Sequence, residues 1–212
     1  MKVLNLYAGI GGNRKHWEGC EVTAVEMNPE VAEIYKQLHP NDTVVVGDAH
    51  QYLLEHYEEF DIIWSSPPCQ SHSRMQKATR HEIPRYPDMK LYQEIIFLTH
   101  FFKGKWVVEN VKPYYDLLIP AISVGRHVFW ANFPVRAYDA HSPDDFITGT
   151  NTEAAEKLKE WLGLHYEGNL YLKPNHCPAQ VLRNCVHPDL GLQVYKCAVY
   201  YHGQVDLFGE PA

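Results

Sequence analysis

An α/β fold built on a doubly wound, mostly parallel sheet is what the sequence predicts, and three observations predict it. Short apolar runs alternate with helical patterns along most of the chain, the order that gives parallel strands joined by crossover helices. The first run ends in a glycine-rich turn, Ala8-Gly9-Ile10-Gly11-Gly12, where bare backbone lets a ligand come close. Chemically capable side chains then fall at the carboxyl ends of successive runs, where open α/β sheets hold their ligands.

The elements follow in order. Residues 2–7 form an apolar run that reads as a strand, and a helical pattern follows the glycine turn through Trp17. The turn lacks the spacing of a dinucleotide site and has no Walker lysine and serine, so NAD and ATP readings lose ground. Residues 20–26 read as a second strand ending in Glu26, about 17 residues after Gly9 and near the offset at which an acid grips ribose hydroxyls. Asn28 and Pro29 open a helix that runs to Leu38, a cap followed by proline at the first helical position. Residues 43–46 form a third strand ending in Gly47-Asp48. Asp48 stands either as a second acid at the ligand edge or as the N-cap of a helix over 49–57.

The fourth strand, 60–64, leads into Ser65-Ser66-Pro67-Pro68-Cys69-Gln70. Two prolines fix φ and exclude a helix before Cys69, so the thiol sits on a rigid turn at a strand end. A buried structural cysteine and a nucleophile are the two readings of such a residue. A polar loop over 71–86 follows, then a helix to Phe102 and a fifth strand, 105–111, with Glu109 and Asn110 at its tip. A further strand is expected over 124–133, with Arg126 near its start. Between 135 and 174 one amphipathic helix, 152–162, stands out, and 178–201 returns to helical and strand patterns.

At 212 residues the chain is sized for one α/β domain with at most a small appended lobe. A net charge of −7 argues against a simple polyanion coat, yet Arg74, Lys77, Arg80, Arg85 and Lys90 face only Glu82 and Asp88 in one segment. That segment is either a solvated loop or a grip on phosphate. Five cysteines, an odd number, point to reduced thiols, and with no apolar span or signal peptide a cytoplasmic location is expected. His176, Cys177, Cys185 and His187 fit no standard zinc spacing, so no metal is expected. Trp64, Trp106 and Trp130 read as core, and His72, His81 and His127 as solvated or phosphate-touching residues.

Taken together, Leu6-Tyr7-Ala8-Gly9-Ile10-Gly11-Gly12, Pro67-Pro68-Cys69-Gln70 with Ser73, and Glu109-Asn110-Val111 resemble the DNA (cytosine-5) methyltransferase family in order and location. Asn184-Cys185-Val186-His187-Pro188 is similar to that family's late Gly-Asn-x-Val-x-Pro element, with Arg183 in the glycine's place. The small size resembles phage-encoded stand-alone members. The resemblance implies a Rossmann-like methyltransferase fold, with a catalytic domain over 1–133 plus 176–212 and a small target-recognition lobe over 134–175. It implies S-adenosylmethionine as cofactor, held by Tyr7, Gly9, Gly11, Glu26, Asp48, Pro68 and Asn184. Cys69 would attack C6 of a flipped cytosine, Glu109 would bond N3 and the exocyclic amine, and Arg126 would hold O2 or a phosphate. Ser71, Ser73, Arg74, Lys77 and Arg80 would meet double-stranded DNA, the expected partner of a monomeric enzyme. The family's Gln-x-Arg-x-Arg element is reduced to Gly125-Arg126-His127, so the second arginine is missing or replaced by His127. Two rival readings stand beside this one: a tRNA cytosine-5 methyltransferase of the same architecture, and a catalytically silent DNA-binding module.

Overall fold

Strands whose side chains are apolar on both faces need cover on both sides, and the sheet has it. The structure, a computed structural model, describes residues 1–74, 86–143, 152–172 and 177–200. Strands β1 (Lys2–Leu6), β2 (Glu21–Glu26), β3 (Thr43–Val46), β4 (Ile62–Ser65), β5 (Lys105–Val111), β6 (Ile122–Val124) and β7 (His127–Ala131) make one seven-stranded sheet. Its order is β3-β2-β1-β4-β5-β7-β6, with the first five strands parallel and β7 antiparallel to both β5 and β6. The mostly parallel sheet is therefore present. The single strand expected over 124–133 is instead a hairpin, because Gly125 adopts φ 55° and turns the chain between β6 and β7.

The helices are α1 (Pro29–Leu38), α2 (Ala49–His56), α3 (Lys90–Phe101), α4 (Thr152–Leu162), α5 (Pro178–Arg183) and α6 (Pro188–Tyr200). Asn28 caps α1 as its sequence suggests, its side chain accepting from Glu30 N at 2.9 Å. The helix expected over 12–17 is a run of tight turns instead, with Arg14 N bonded to Gly11 O (3.1 Å) and Trp17 N to Arg14 O (3.0 Å). Tertiary ties override the local pattern there. Buried Asn13 donates to Asn5 Oδ1 of β1 at 2.9 Å, and Trp17 Nε1 to Gly191 O at 3.2 Å. The described carboxyl-terminal part holds two helices joined by the non-helical residues 184–187, with no strand in 177–200.

Period-two alternation sorts the strands between two apolar layers. Leu4, Leu6, Ile63, Trp106, Val108 and Trp130 pack under α2 and α3, whereas Val3, Ile62, Trp64, Val107 and Phe129 pack under Trp17 and α6. Trp64, Trp106 and Trp130 are core, as their strand positions suggest. A third cluster joins Ile10 and Ile34 to Ala155, Leu158 and Leu162 of α4 and Ala179 and Leu182 of α5. Part of the stretch expected as a separate lobe over 134–175 thus shares a core with the glycine turn and α1. Among the described residues no helix is long and apolar enough to cross a membrane.

Candidate active site

Strand order fixes where a ligand can bind. From β1 the chain winds outward through β2 and β3, while β4 starts on the other side of β1 and leads to β5. The carboxyl ends of β1 and β4 therefore flank the switch point, where open α/β sheets leave a crevice. A cavity of about 520 Å³ opens there, lined by the turn after β1, the end of β2, residues 66–70, the tip of β5, Arg126 and His127, and part of 170–186.

One side of this cavity is built from the glycine turn. Gly9 N donates to Glu26 Oε2 (3.0 Å) and Asn28 N to Glu26 Oε1 (2.9 Å), so one carboxylate braces both the turn and the start of α1. Gly9 has φ +57° and no atom within 4 Å of where a Cβ would stand, which leaves open space in front of its backbone. Tyr7, at φ 55°, donates through its hydroxyl to Glu94 Oε1 at 2.6 Å. Glu94, fully buried on α3, also accepts from Ser65 Oγ (2.6 Å) and lies 3.0 Å from His50 Nδ1. Burial, then the Glu94 charge, push the Tyr7 phenol well above its ordinary range, and the Glu94 hydrogen bond raises His50. Pro68 and Asn184 line the same cavity, with Asn184 Oδ1 accepting from Gln180 Nε2 at 2.9 Å.

Two residues expected on the cofactor are not among those that line this cavity. Gly11 faces Tyr35 and His39 of the α1 side, and a Cβ there would fall 2.4 Å from His39 Nε2. Asp48 is the N-cap of α2, accepting from His50 N (2.8 Å) and Gln51 N (3.1 Å). The Gln51 bond foremost, helped by that of His50, holds its carboxyl below the ordinary range, and the cavity wall at this point is Ala49. The capping alternative is the one the fold adopts.

On the other side stands the chemistry. Asn110 Nδ2 donates to Pro67 O at 2.8 Å, tying the tip of β5 to the proline turn, while Cys69 O accepts from His72 N (3.0 Å) and Ser73 N (2.9 Å). Cys69 is thus held from both sides, and it lines the cavity together with Glu109. Burial, then the Glu109 charge, push the Cys69 thiol up, and Arg126 offsets part of this. Glu109 is buried and lies 2.6 Å from His127 Nδ1. Burial raises its carboxyl, but the His127 charge and hydrogen bond, the Ser66 hydroxyl and Arg126 outweigh that and leave it below the ordinary range. Arg126 Nη2 donates to the carbonyls of Arg183 and Cys185, both at 3.1 Å. It therefore pins the hairpin turn to the 183–186 segment while facing Cys69 and Glu109 electrostatically.

The residues expected on DNA lie outside the cavity wall or outside the described residues. Ser71 Oγ accepts from Asp88 N (3.0 Å), Ser73 bridges to Pro113, and exposed Arg74 donates to Pro113 O (3.3 Å). Lys77, Arg80 and His81 fall outside the described residues. His72 is buried rather than solvated: its ring bonds Tyr115 Oη, because the loop folds back onto 113–115. Cys185 Sγ donates to Val181 O (3.5 Å) and His187 Nε2 pairs with Trp161 O (2.9 Å), so both serve packing; His176 lies outside the described residues.

Sequence reasoning missed the pairing of His127 with Glu109, the Asn110 tie and the Glu94 hub. Alternation offered a signal for the first, since His127 and Phe129 share a face as Glu109 and Val107 do. For the Glu94 hub no local pattern exists, as its partners lie 29, 44 and 87 residues away.

The sheet order is that of a Rossmann-like fold with a crevice at its switch point; membership of the methyltransferases, with S-adenosylmethionine as cofactor, rests on a family match over residues 1–116. A methyltransferase of Entamoeba histolytica has the same fold, with a TM-score of 0.54 at 10% identity over 93% of this chain and 97% of that one. A family model described as C-5 cytosine-specific DNA methylase matches residues 1–116, more than half of the 212, and the chain belongs to that family. The human tRNA (cytosine(38)-C(5))-methyltransferase is 33% identical over 82 residues, which is 35% of this chain and 21% of the human protein. Its Spodoptera frugiperda counterpart is 32% identical over 91 residues, 40% of this chain and 27% of the insect protein. The matched stretch thus spans about a quarter of the length of these curated relatives. The turn suits the cofactor: Gly9 leaves room, Glu26 presents a carboxylate, and the cavity falls in the range of small-molecule sites.

Proposed function

We propose that the chain methylates C5 of a cytosine flipped out of double-stranded DNA, through a covalent bond between Cys69 Sγ and C6 of the base. One observation carries this reading: Cys69 and Glu109 line the same cavity as the Gly9 turn, with Asn110 bonded to Pro67 O to fix their separation. C5 of cytosine is a poor nucleophile. Addition of a thiolate at C6 makes C5 enamine-like, and sulfur both adds and leaves readily. Charge pushed toward N3 is met by Glu109, which also accepts from the exocyclic amine. When bound, S-adenosylmethionine supplies an electrophilic methyl group, with Gly9, Glu26, Pro68 and Asn184 as the residues that would hold it. Transfer of the C5 proton to solvent then re-forms the C5–C6 double bond and expels Cys69 as thiolate. A cytosine inside a duplex is out of reach of such a cavity, so the base must leave the stack.

The test is a duplex carrying 5-fluorocytosine, which lacks the C5 proton and therefore stalls on the enzyme. Wild type is expected to form a covalent adduct stable to denaturing gels. Cys69→Ser is expected to lose turnover while still binding cofactor, and turnover by this variant at the wild-type rate would sink the mechanism. A second substrate has a specific observation behind it, since both curated relatives are named tRNA (cytosine(38)-C(5))-methyltransferases. Methyl incorporation into duplex DNA set against tRNA separates the two.

A further inference from the structure

We infer that His127 is a positioning residue that stores the proton which Glu109 hands to N3 of the target cytosine. The inference deepens the reading above and rests on it. His127 Nδ1 lies 2.6 Å from Glu109 Oε1, and both residues are buried. The pairing is built by strand register. Glu109 stands opposite Phe129 and His127 opposite Val111 across the antiparallel β5–β7 ladder, so the two are diagonal neighbours on one face.

Proton accounting shows why the pair matters. The surroundings of Glu109 hold its carboxyl below the ordinary range, so it rests as a carboxylate. A carboxylate only accepts hydrogen bonds, and N3 of neutral cytosine also only accepts. The two repel unless a proton stands between them. Four groups face Glu109 or its neighbours electrostatically: Ser66 and Cys69 from the turn after β4, Arg126 from the hairpin turn, and His127 from β7. The Ser66 hydroxyl accepts from Trp64 Nε1 at 2.9 Å and is no acid near neutrality. Cys69 is needed as the nucleophile, and a guanidinium keeps its protons. The imidazole of His127 is the neighbour whose ring nitrogen can both hold a proton and give it up. As N3 approaches, one proton passes from His127 Nδ1 through Glu109 to N3; neutral His127 recovers it when product leaves.

Two readouts on the full chain test this. The first is kcat and KM, read separately on duplex DNA and tRNA, for wild type, His127→Gln and His127→Arg. His127→Gln should fall about 10²-fold or more in kcat. His127→Arg should fall with it, because a guanidinium keeps its protons and has none to hand on. A wild-type rate in either variant would overturn the proposal. The second readout needs no substrate. In proton NMR of the free protein, the His127 Nδ1 proton in so short a bond should resonate far downfield and vanish or shift upfield in Glu109→Gln. Absence of that resonance in wild type overturns the stored proton even if no methyl transfer is found. A wild type that methylates neither nucleic acid yet shows the resonance fails the functional reading and leaves the proton pair standing.

Discussion

Gly9 and Gly12 belong to one short turn, yet substitution at each should fail for a different reason. A Cβ at Gly12 would lie 2.7 Å from Cys185 Cβ and 2.8 Å from Val186 O. Ordinary contacts begin well beyond those distances, and overpacking a buried site costs about 1–3 kcal/mol. Loss of glycine entropy from the unfolded chain offsets roughly 0.4–1 kcal/mol, so Gly12→Ala should destabilise by about 1–2 kcal/mol. For a chain of this size that is a Tm lower by roughly 2–8 °C. At Gly9 nothing lies within 4 Å of the added Cβ, and φ +57° is the whole penalty, about 1 kcal/mol. The methyl group would instead project toward the cavity, so Gly9→Ala should lose about tenfold in S-adenosylmethionine affinity, near 1.4 kcal/mol. Urea unfolding measures the first effect and calorimetric titration the second. A double variant, Gly12→Ala with Cys185→Gly, removes the Cβ and Sγ contacts and should show a coupling of about 1 kcal/mol. Wild-type stability in Gly12→Ala, or additive behaviour of the double variant, would show that the turn does not rest rigidly on 185–186.

Two further predictions concern buried charge. Glu94→Leu strips the acceptor from Tyr7, Ser65 and His50 and should cost about 3–5 kcal/mol in urea unfolding; a loss under 1 kcal/mol would show that these donors find other partners. Iodoacetamide should alkylate Cys69 more slowly near pH 7.5 than it does a free thiol, because burial and the Glu109 charge hold the thiol up. Removing a neighbouring negative charge favours the thiolate, so Glu109→Gln should react faster at fixed pH, whereas Arg126→Gln should react more slowly; the reverse order would refute this electrostatic account.

Much of this arrangement was legible in the sequence because it depends on local chemistry. The strand at 43–46 and the helices at 29–38 and 152–162 match their expected bounds, since apolar period, caps and proline act within a few residues. The proline turn with its cysteine and the acids at strand ends were legible for the same reason. Misreadings came where distant residues decide. The 12–17 segment carries a helical pattern, but Asn5, Gly191 and Cys185 hold it in turns. Gly11 reads as a cofactor glycine until Tyr35 and His39 are seen against it. Asp48 offered two readings of equal local quality, and only the fold separates a cap from a ligand.

The hairpin shows how far one register can carry chemistry. Five parallel strands suffice to build the glycine turn, the brace of Glu26 and the proline turn of Cys69. None of them places an imidazole against Glu109, because its neighbour β4 ends at Ser65, opposite Val108. The antiparallel β7 supplies it. Its direction brings 127 up beside the tip of β5, and the period of two sends His127 to the Glu109 face. Arg126, one residue earlier, stays in the turn and bonds the carbonyls of Arg183 and Cys185. A shift of one residue in that hairpin would exchange the two roles, aiming a permanent charge at Glu109 in place of a group that can yield a proton.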